Sequence, residues 1–178
     1  VDLRKRAAAY HLSRGSLEQA VDLLIEAGSI RQAAKTAERH ARELFVRGRI
    51  QTIERWVEIF RAEDAAAPNL TLALVNSLRN RGDLSGAEGL LQEVERAIGP
   101  QSARDLRARF EITRGYLWWQ LGKHDKALEA ADRVDRLFAN RRNPRHQGAG
   151  KNIRALALAH GRGEFVEAEK AAIEAVEL

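Results

Sequence analysis

Tyr116, Trp118, Trp119 and Gln120 fall within a few residues of one another, and they are the part of this sequence best equipped for recognition. Aromatic rings and arginines supply most of the energy at binding surfaces. A few polar groups beside rings also suit a small ligand. Residues able to do covalent or metal chemistry are not grouped in this way. There are 0 Cys, so thiol catalysis and disulfides are excluded. The histidines His11, His40, His124, His146 and His160 are scattered, and none has a second His or a Cys at metal-ligand spacing. Asp132 and Asp135 have the ordinary spacing of a charged helix surface. Gly148-Ala149-Gly150-Lys151 resembles the end of a phosphate-binding loop, but Arg145 stands where that loop needs Gly and Asn152 where it needs Ser or Thr. Gly161-Arg162-Gly163 lacks the third Gly and the preceding strand of a dinucleotide site. No nucleophile can be paired with a base. The expectation is a binding segment without catalytic residues, metal or cofactor.

The elements that must position these residues repeat. Gly122-Lys123-His124-Asp125-Lys126-Ala127 contains a kernel of Gly, a bulky residue two places on, and Ala five places on. Gly15-Ser16-Leu17-Glu18-Gln19-Ala20, Gly82-Asp83-Leu84-Ser85-Gly86-Ala87 and Gly163-Glu164-Phe165-Val166-Glu167-Ala168 repeat it, and a weaker copy begins at Gly48 with Ile53 in the Ala place. Successive copies lie about 33 to 41 residues apart, a period that indicates stacked helix hairpins. Gly closes the first helix because the position after its end needs a left-handed backbone. Ala one turn into the second helix lets the two backbones approach. A single hairpin cannot bury its apolar face alone, so neighbours must stack. The expected fold is all-α: a right-handed superhelix of about ten helices in five antiparallel pairs. Residues 1–178 are read as a single repeat domain, with linker-like first repeats over 1–62 and repeats over 69–178.

Apolar spacing and end signals place the helices. Leu3 to Arg14 reads as the first, with Leu3, Ala7, Tyr10 and His11 inward. Ser16 and Ser29 each head a capping-box pattern with Gln three places on. The second helix carries Leu17, Ala20, Val21, Leu24 and Ile25, and Gly28 stops it. Ala33, Ala34, Ala37, Ala41, Leu44 and Phe45 line the third, then Ile50, Ile53, Trp56, Val57 and Phe60 the fourth. Residues 63–69 read as a connection. Leu70 to Leu78 form the next helix, and Asp83 caps its partner, where Ala87, Leu90, Leu91, Val94 and Ile98 face inward. A long helix over 102–121, a partner over 125–138, and a last hairpin over 151–160 and 165–176 complete the series. Residues 140–150, polar, basic and rich in Gly, read as a solvated mobile loop.

The balance of 30 Lys+Arg against 25 Asp+Glu gives a net charge of +5. These charges are interspersed along helices rather than gathered in a basic stripe, so direct nucleic-acid binding is not expected. No apolar run approaches the ~20 residues of a membrane span. The sequence starts at Val1, has 0 Met and stops at Leu178 inside a helical pattern, so a piece of a longer, cytoplasmic protein is expected.

In a stacked-hairpin array the first helix of each pair lines the concave face, and residues three and six places before each turn Gly face the groove. That rule selects Phe45 and Arg42, Arg79 and Asn76, Trp119 and Tyr116, and His160 and Ala157, with Asn80 and Gln120 adjacent. Tyr116, Trp118 and Trp119 cannot all face one way, because each helical step turns about 100°. Trp119 is assigned to the groove and Trp118 to the core.

The segments Ala8-Ala9-Tyr10, Arg14-Gly15-Ser16-Leu17-Glu18-Gln19-Ala20, Ala27-Gly28-Ser29-Ile30-Arg31-Gln32-Ala33-Ala34 and Ile53-Glu54-Arg55-Trp56-Val57 resemble the helical linker and first repeats of MalT-type regulators. These are ATP-dependent transcription activators of the LuxR group, within the signal-transduction ATPases. Pro68-Asn69-Leu70 and the kernels at Gly82, Gly122 and Gly163 are similar to their tetratricopeptide-like sensor. Glu111 and Arg114 stand where the repeat usually carries Trp and Leu. The resemblance implies an ATPase module before this segment and a helix-turn-helix after it. It also implies a role in sensing a small-molecule inducer and controlling self-association. The rival expectation is a scaffold whose groove takes a peptide or partner protein.

Overall fold

The computed structural model describes residues 2–178. Among them the chain is all-α: α1 (Asp2–Ser13), α2 (Leu17–Glu26), α3 (Ile30–Val46), α4 (Ile50–Ala62), α5 (Pro68–Asn80), α6 (Leu84–Ala97), α7 (Arg104–Gln120), α8 (His124–Leu137), α9 (Pro144–Ala157) and α10 (Phe165–Val176). A π-helical turn, Leu158–Arg162, continues α9. Consecutive helices form antiparallel pairs such as α1 with α2, α7 with α8 and α9 with α10, as in a helical repeat. The chain divides into two compact units, Val1–Ser77 and Leu78–Leu178.

The glycines that close helices in the sequence pattern are the ones with left-handed backbone. Gly15, Gly28, Gly48, Gly82, Gly122 and Gly163 have φ between +67° and +84°. At Gly122 this φ lets its N–H reach Trp119 O (3.0 Å) while the Lys123 N–H reaches Trp118 O (2.8 Å), so both last-turn carbonyls of α7 are satisfied. The α4–α5 connection has no Gly. Asp64 takes the left-handed conformation there (φ 49°), and the Ala65 N–H reaches Phe60 O at 2.8 Å. Asp is one of the few side chains that tolerate it. That connection is shorter than the sequence suggests, because Pro68 and Asn69 already belong to α5.

In the first unit α1 packs on α2, α2 on α3 and α3 on α4. The predicted apolar stripes of α2, α3 and α4 are buried at Ala20, Val21, Leu24, Ala33, Ala37, Leu44, Ile53, Trp56 and Phe60. Polar ties lock these stripes in register. Asp22 on α2 accepts from the Trp56 indole Nε1–H (2.8 Å) and from Arg55 (2.8 Å) on α4. Glu38 on α3 accepts from the backbone N–H groups of Asn69 (2.8 Å) and Leu70 (3.1 Å), satisfying donors in the first turn of α5.

Two expectations about this unit fail. Leu3 and Tyr10 do not face inward: they are 77% and 60% exposed, and Ala8 (1%) makes the buried contact. α1 packs on α2, and the small Ala8 permits a close approach there. The capping boxes do not form either. Ser16 and Ser29 sit at their N-cap positions without a side-chain hydrogen bond. Glu18, in the first turn of α2, instead reaches α4, accepting from Thr52 Oγ1 (2.9 Å) and pairing with Arg49 (3.2 Å). Asp83 does cap α6, accepting from the Gly86 N–H at 2.9 Å.

In the second unit α7, α8 and α9 pack on one another, α6 packs on α7 and α10 on α9. Small residues set the spacing. Ala127, Ala130 and Ala131 are fully buried, and a Cβ on Gly115 would lie 3.0 Å from Ile153. The kernel Ala of every copy is buried, at Ala20, Ala87, Ala127 and Ala168, as is Ile53 in the weak copy. Arg114 is only 8% exposed, yet its charge is not left bare. It bonds Glu95 at 2.6 Å and Glu111 at 2.7 Å, and its guanidinium lies 4.6 Å from the Phe110 ring and 4.7 Å from the Trp118 ring.

The predicted mobile loop over 140–150 is largely helix. α9 begins at Pro144, with Asn143 as its cap accepting from the His146 N–H. Pro suits that first turn because its missing N–H is not needed there. His146 is 7% exposed, its ring 5.3 Å from that of Phe138. Gly150 is a close-packing residue, since a Cβ there would meet Val134 at 3.2 Å. Polar composition misleads here because helix packing, not solvation, selects these glycines.

Candidate ligand-binding site

α7 presents Tyr116, Trp119 and Gln120 at i, i+3 and i+4, one face of a helix. α9, packed against α7, carries Asn152, and the π turn that follows carries His160. The last residues of α5 supply Arg79 and Asn80. These second-unit residues form a linked polar and aromatic wall. The Arg79 guanidinium stacks on the Tyr116 ring at 5.3 Å and donates to Gln120 Oε1 at 3.3 Å. Asn152 Nδ2 donates to the Tyr116 hydroxyl at 2.9 Å. Trp119 and His160 meet edge-to-face at 5.6 Å. Arg79, Tyr116 and Trp119 are half-buried, while Asn80, Gln120, Asn152 and His160 are exposed.

His160 Nδ1 lies 2.9 Å from Leu156 O and 3.4 Å from Trp119 Nε1. One ring nitrogen cannot donate to the carbonyl and accept from the indole at once. The shorter contact makes Nδ1 the donor to Leu156 O, which leaves the Trp119 indole N–H available to another acceptor. Burial pushes the Arg79 guanidinium below its ordinary value, and the Tyr116 hydroxyl opposes that shift. Arg79 stays cationic at any physiological pH all the same. Its Nε is buried without a hydrogen-bond partner.

The π turn corrects one assignment. Ala157, counted as a groove residue, is fully buried in the core beside Ala127, Ala131 and Ile153. The final bond of α9 runs from the Glu164 N–H to Leu158 O at 3.2 Å, one residue longer than the equivalent bond from Lys123 to Trp118. The extra residue shifts everything upstream by one position, so Ala157 takes the buried place that Leu117 holds on α7. Trp118 and Trp119 both pack against this core and both remain half-buried. Trp118 is also flanked by Arg114 and Lys126.

Arg42, Phe45 and Asn76 belong to the first unit. Arg42 is exposed, Phe45 is half-buried, and Asn76 donates to Leu72 O at 3.0 Å within α5. That unit also holds a solvent-open cleft of about 400 Å³ beside Ser16, Glu18, Asp22, Glu43, Arg47 and Arg49, which the sequence pattern does not show. Its charges pair internally, Arg49 with Glu18 (3.2 Å) and Arg47 with Glu43 (2.9 Å).

Asn152 is the site residue that sequence reasoning missed. In the sequence Asn152 stands out only as the residue that breaks the phosphate-loop pattern after Lys151. Asp132 and Asp135, read as plain surface, share Arg154 at 2.7 and 2.9 Å. Burial alone lowers the Arg154 guanidinium, but the hydrogen bonds and charges of these two aspartates outweigh it and hold the group above its ordinary value. Among the described residues no group of three or more His, Cys, Asp or Glu is arranged to hold a metal ion, and no helix is long and apolar enough to cross a membrane. Comparison with known protein families, curated proteins and solved structures finds no match to this chain.

Proposed function

We propose that this chain is the ligand-sensing helical repeat segment of a cytoplasmic transcriptional regulator of the MalT type, acting by controlling the regulator's self-association. The observation that carries the reading is the wall of Arg79, Tyr116, Gln120, Asn152, Trp119 and His160, gathered from three separated stretches of sequence. The early-repeat resemblance and the hinge glycines support it. In this reading the segment has no catalytic role of its own and does not touch DNA. An inducer would bias the regulator only through a difference in affinity between its closed and oligomer-competent states.

A protein partner is the second reading, and the last helix favours it. Phe165, Val166, Ile173 and Val176 on α10 are 52% to 88% exposed, and exposed apolar groups of that size mark interaction surfaces when they adjoin. Titration calorimetry with neutral sugars, sugar phosphates and dicarboxylates, run beside sedimentation of the same samples, separates the two. Heat that disappears in Tyr116→Ala and Trp119→Ala is the expected result for a sensor. No heat with any metabolite, together with concentration-dependent association lost on Ile173→Ser, would replace it with the scaffold reading.

A further inference from the structure

We propose that the wall on the second unit is an anion subsite, in which Arg79 receives a carboxylate or phosphate group of the ligand. The inference rests on the sensing function above and specifies the ligand's chemistry. Other cations of this unit that are drawn partly out of water have carboxylate partners, among them Arg114 with Glu95 at 2.6 Å, Lys123 with Glu88 at 2.7 Å and Arg154 with Asp132 at 2.7 Å. Arg79 differs. It is half-buried, its contacts are a neutral amide at 3.3 Å and a ring face at 5.3 Å, and its Nε–H points at no acceptor. Holding a guanidinium partly out of water without a counter-charge is costly. An arriving oxyanion removes that cost with short, charge-assisted bonds of about 2.7–2.9 Å, better than the long contact to Gln120.

The neighbours suit the same charge. Tyr116 accepts from Asn152, so its hydroxyl hydrogen remains to be donated. The Trp119 indole N–H is free for an acceptor in the His160 tautomer that donates to Leu156 O. Among the described residues no Asp or Glu hydrogen-bonds to Arg79, Tyr116, Trp119 or Asn152. Stacking on Tyr116 fixes the guanidinium fork, which favours a planar or tetrahedral oxyanion over a diffuse positive field.

The test is a proton–nitrogen NMR titration of the whole 178-residue chain, following the Arg79 Nε–H and Trp119 Nε1–H signals. The probes are succinate, glucose 6-phosphate, inorganic phosphate and neutral glucose. Saturable shifts of both signals with succinate or glucose 6-phosphate are expected, weakened at least tenfold in Arg79→Gln. Arg79→Lys, which keeps the charge but not the fork, should retain part of the binding. Succinate and glucose 6-phosphate separate the carboxylate from the phosphate source. Thermal melts confirm that both variants remain folded, and Arg79→Lys decides if Arg79→Gln does not. Anion binding equally strong in Arg79→Gln overturns the subsite. Saturation by glucose with none by any anion also overturns it, yet leaves the sensing function standing. Silence at both signals with every probe overturns the subsite, and if calorimetry is also silent the sensing function fails with it.

Discussion

Asp22→Ala tests whether one carboxylate ties α2 to α4. Asp22 Oδ1 accepts from the Trp56 indole N–H at 2.8 Å, and Trp56 is 0% exposed. Removing the acceptor strands a buried donor, which costs about 1–3 kcal/mol. The pair with Arg55 also goes, but both side chains are substantially exposed, at 55% and 34%, so that loss is about 0–1 kcal/mol. Ala suits a helix interior better than Asp and returns about 0.5 kcal/mol. The net expectation is a destabilisation of about 2 kcal/mol, or roughly 10 °C for a unit of this size. Asp22→Asn separates the two contributions, because its amide oxygen still accepts from the indole while its charge is gone; it should cost under about 1 kcal/mol. Urea unfolding followed by circular dichroism measures all three proteins. In a cycle with Trp56→Phe, the Asp22→Ala penalty should shrink by about 1 kcal/mol or more. Equal losses for Asp22→Ala, Asp22→Asn and Arg55→Ala would refute the argument, since the surface ion pair would then account for the whole effect.

His146 should make the protein acid-sensitive. Burial pushes its imidazole below the ordinary value, Asp105 pulls it up, and Arg109 and Arg145 push it down again. The unfolded chain therefore binds the proton more readily. The stability is fully present above the unfolded value of about 6.5 and falls as pH drops through it, until the lower folded value is reached. His146→Phe should flatten that part of the stability–pH curve relative to the parent, measured by urea midpoints from pH 7.5 to 5; parallel curves would dismiss the assignment. Gly161→Ala should destabilise by about 1–3 kcal/mol, because its Cβ would lie 2.5 Å from the Cβ of His124, an atom that cannot move without its backbone. Gly99→Ala, with nothing within 4 Å, is the control and should change the thermal midpoint little; similar shifts for the two would contradict the contact.

Much of the local structure was legible because it depends on single residues or short spacing. The i, i+3, i+4 stripes of α2, α3 and α4 reappear as buried faces, and Asp83 caps α6 as its type and place suggest. Failures occur where a local signal competes with packing. Ser16 and Gln19 have the composition of a capping box, but Ser16 makes no side-chain cap bond, and the neighbouring Glu18 ties this turn to Thr52 and Arg49 on another part of the unit. Gly148 and Gly150 read as loop residues although they lie in α9, where Gly150 serves close approach. Counting back from Gly163 misplaced Ala157 because nothing local in the sequence announces the π turn.

The hinges were determined by the sequence itself. Gly15, Gly28, Gly48, Gly82, Gly122 and Gly163 can be placed by inspection, since tolerance of a left-handed backbone is a property of one residue. The partners of the wall were decided only by the folded chain. Arg79 meets Gln120, Tyr116 meets Asn152 and Trp119 meets His160 across sequence separations of 41, 36 and 41 residues. Such meetings depend on how closely small residues let α7, α8 and α9 approach, and on one extra residue in the last turn. Spacing along the chain carries neither quantity.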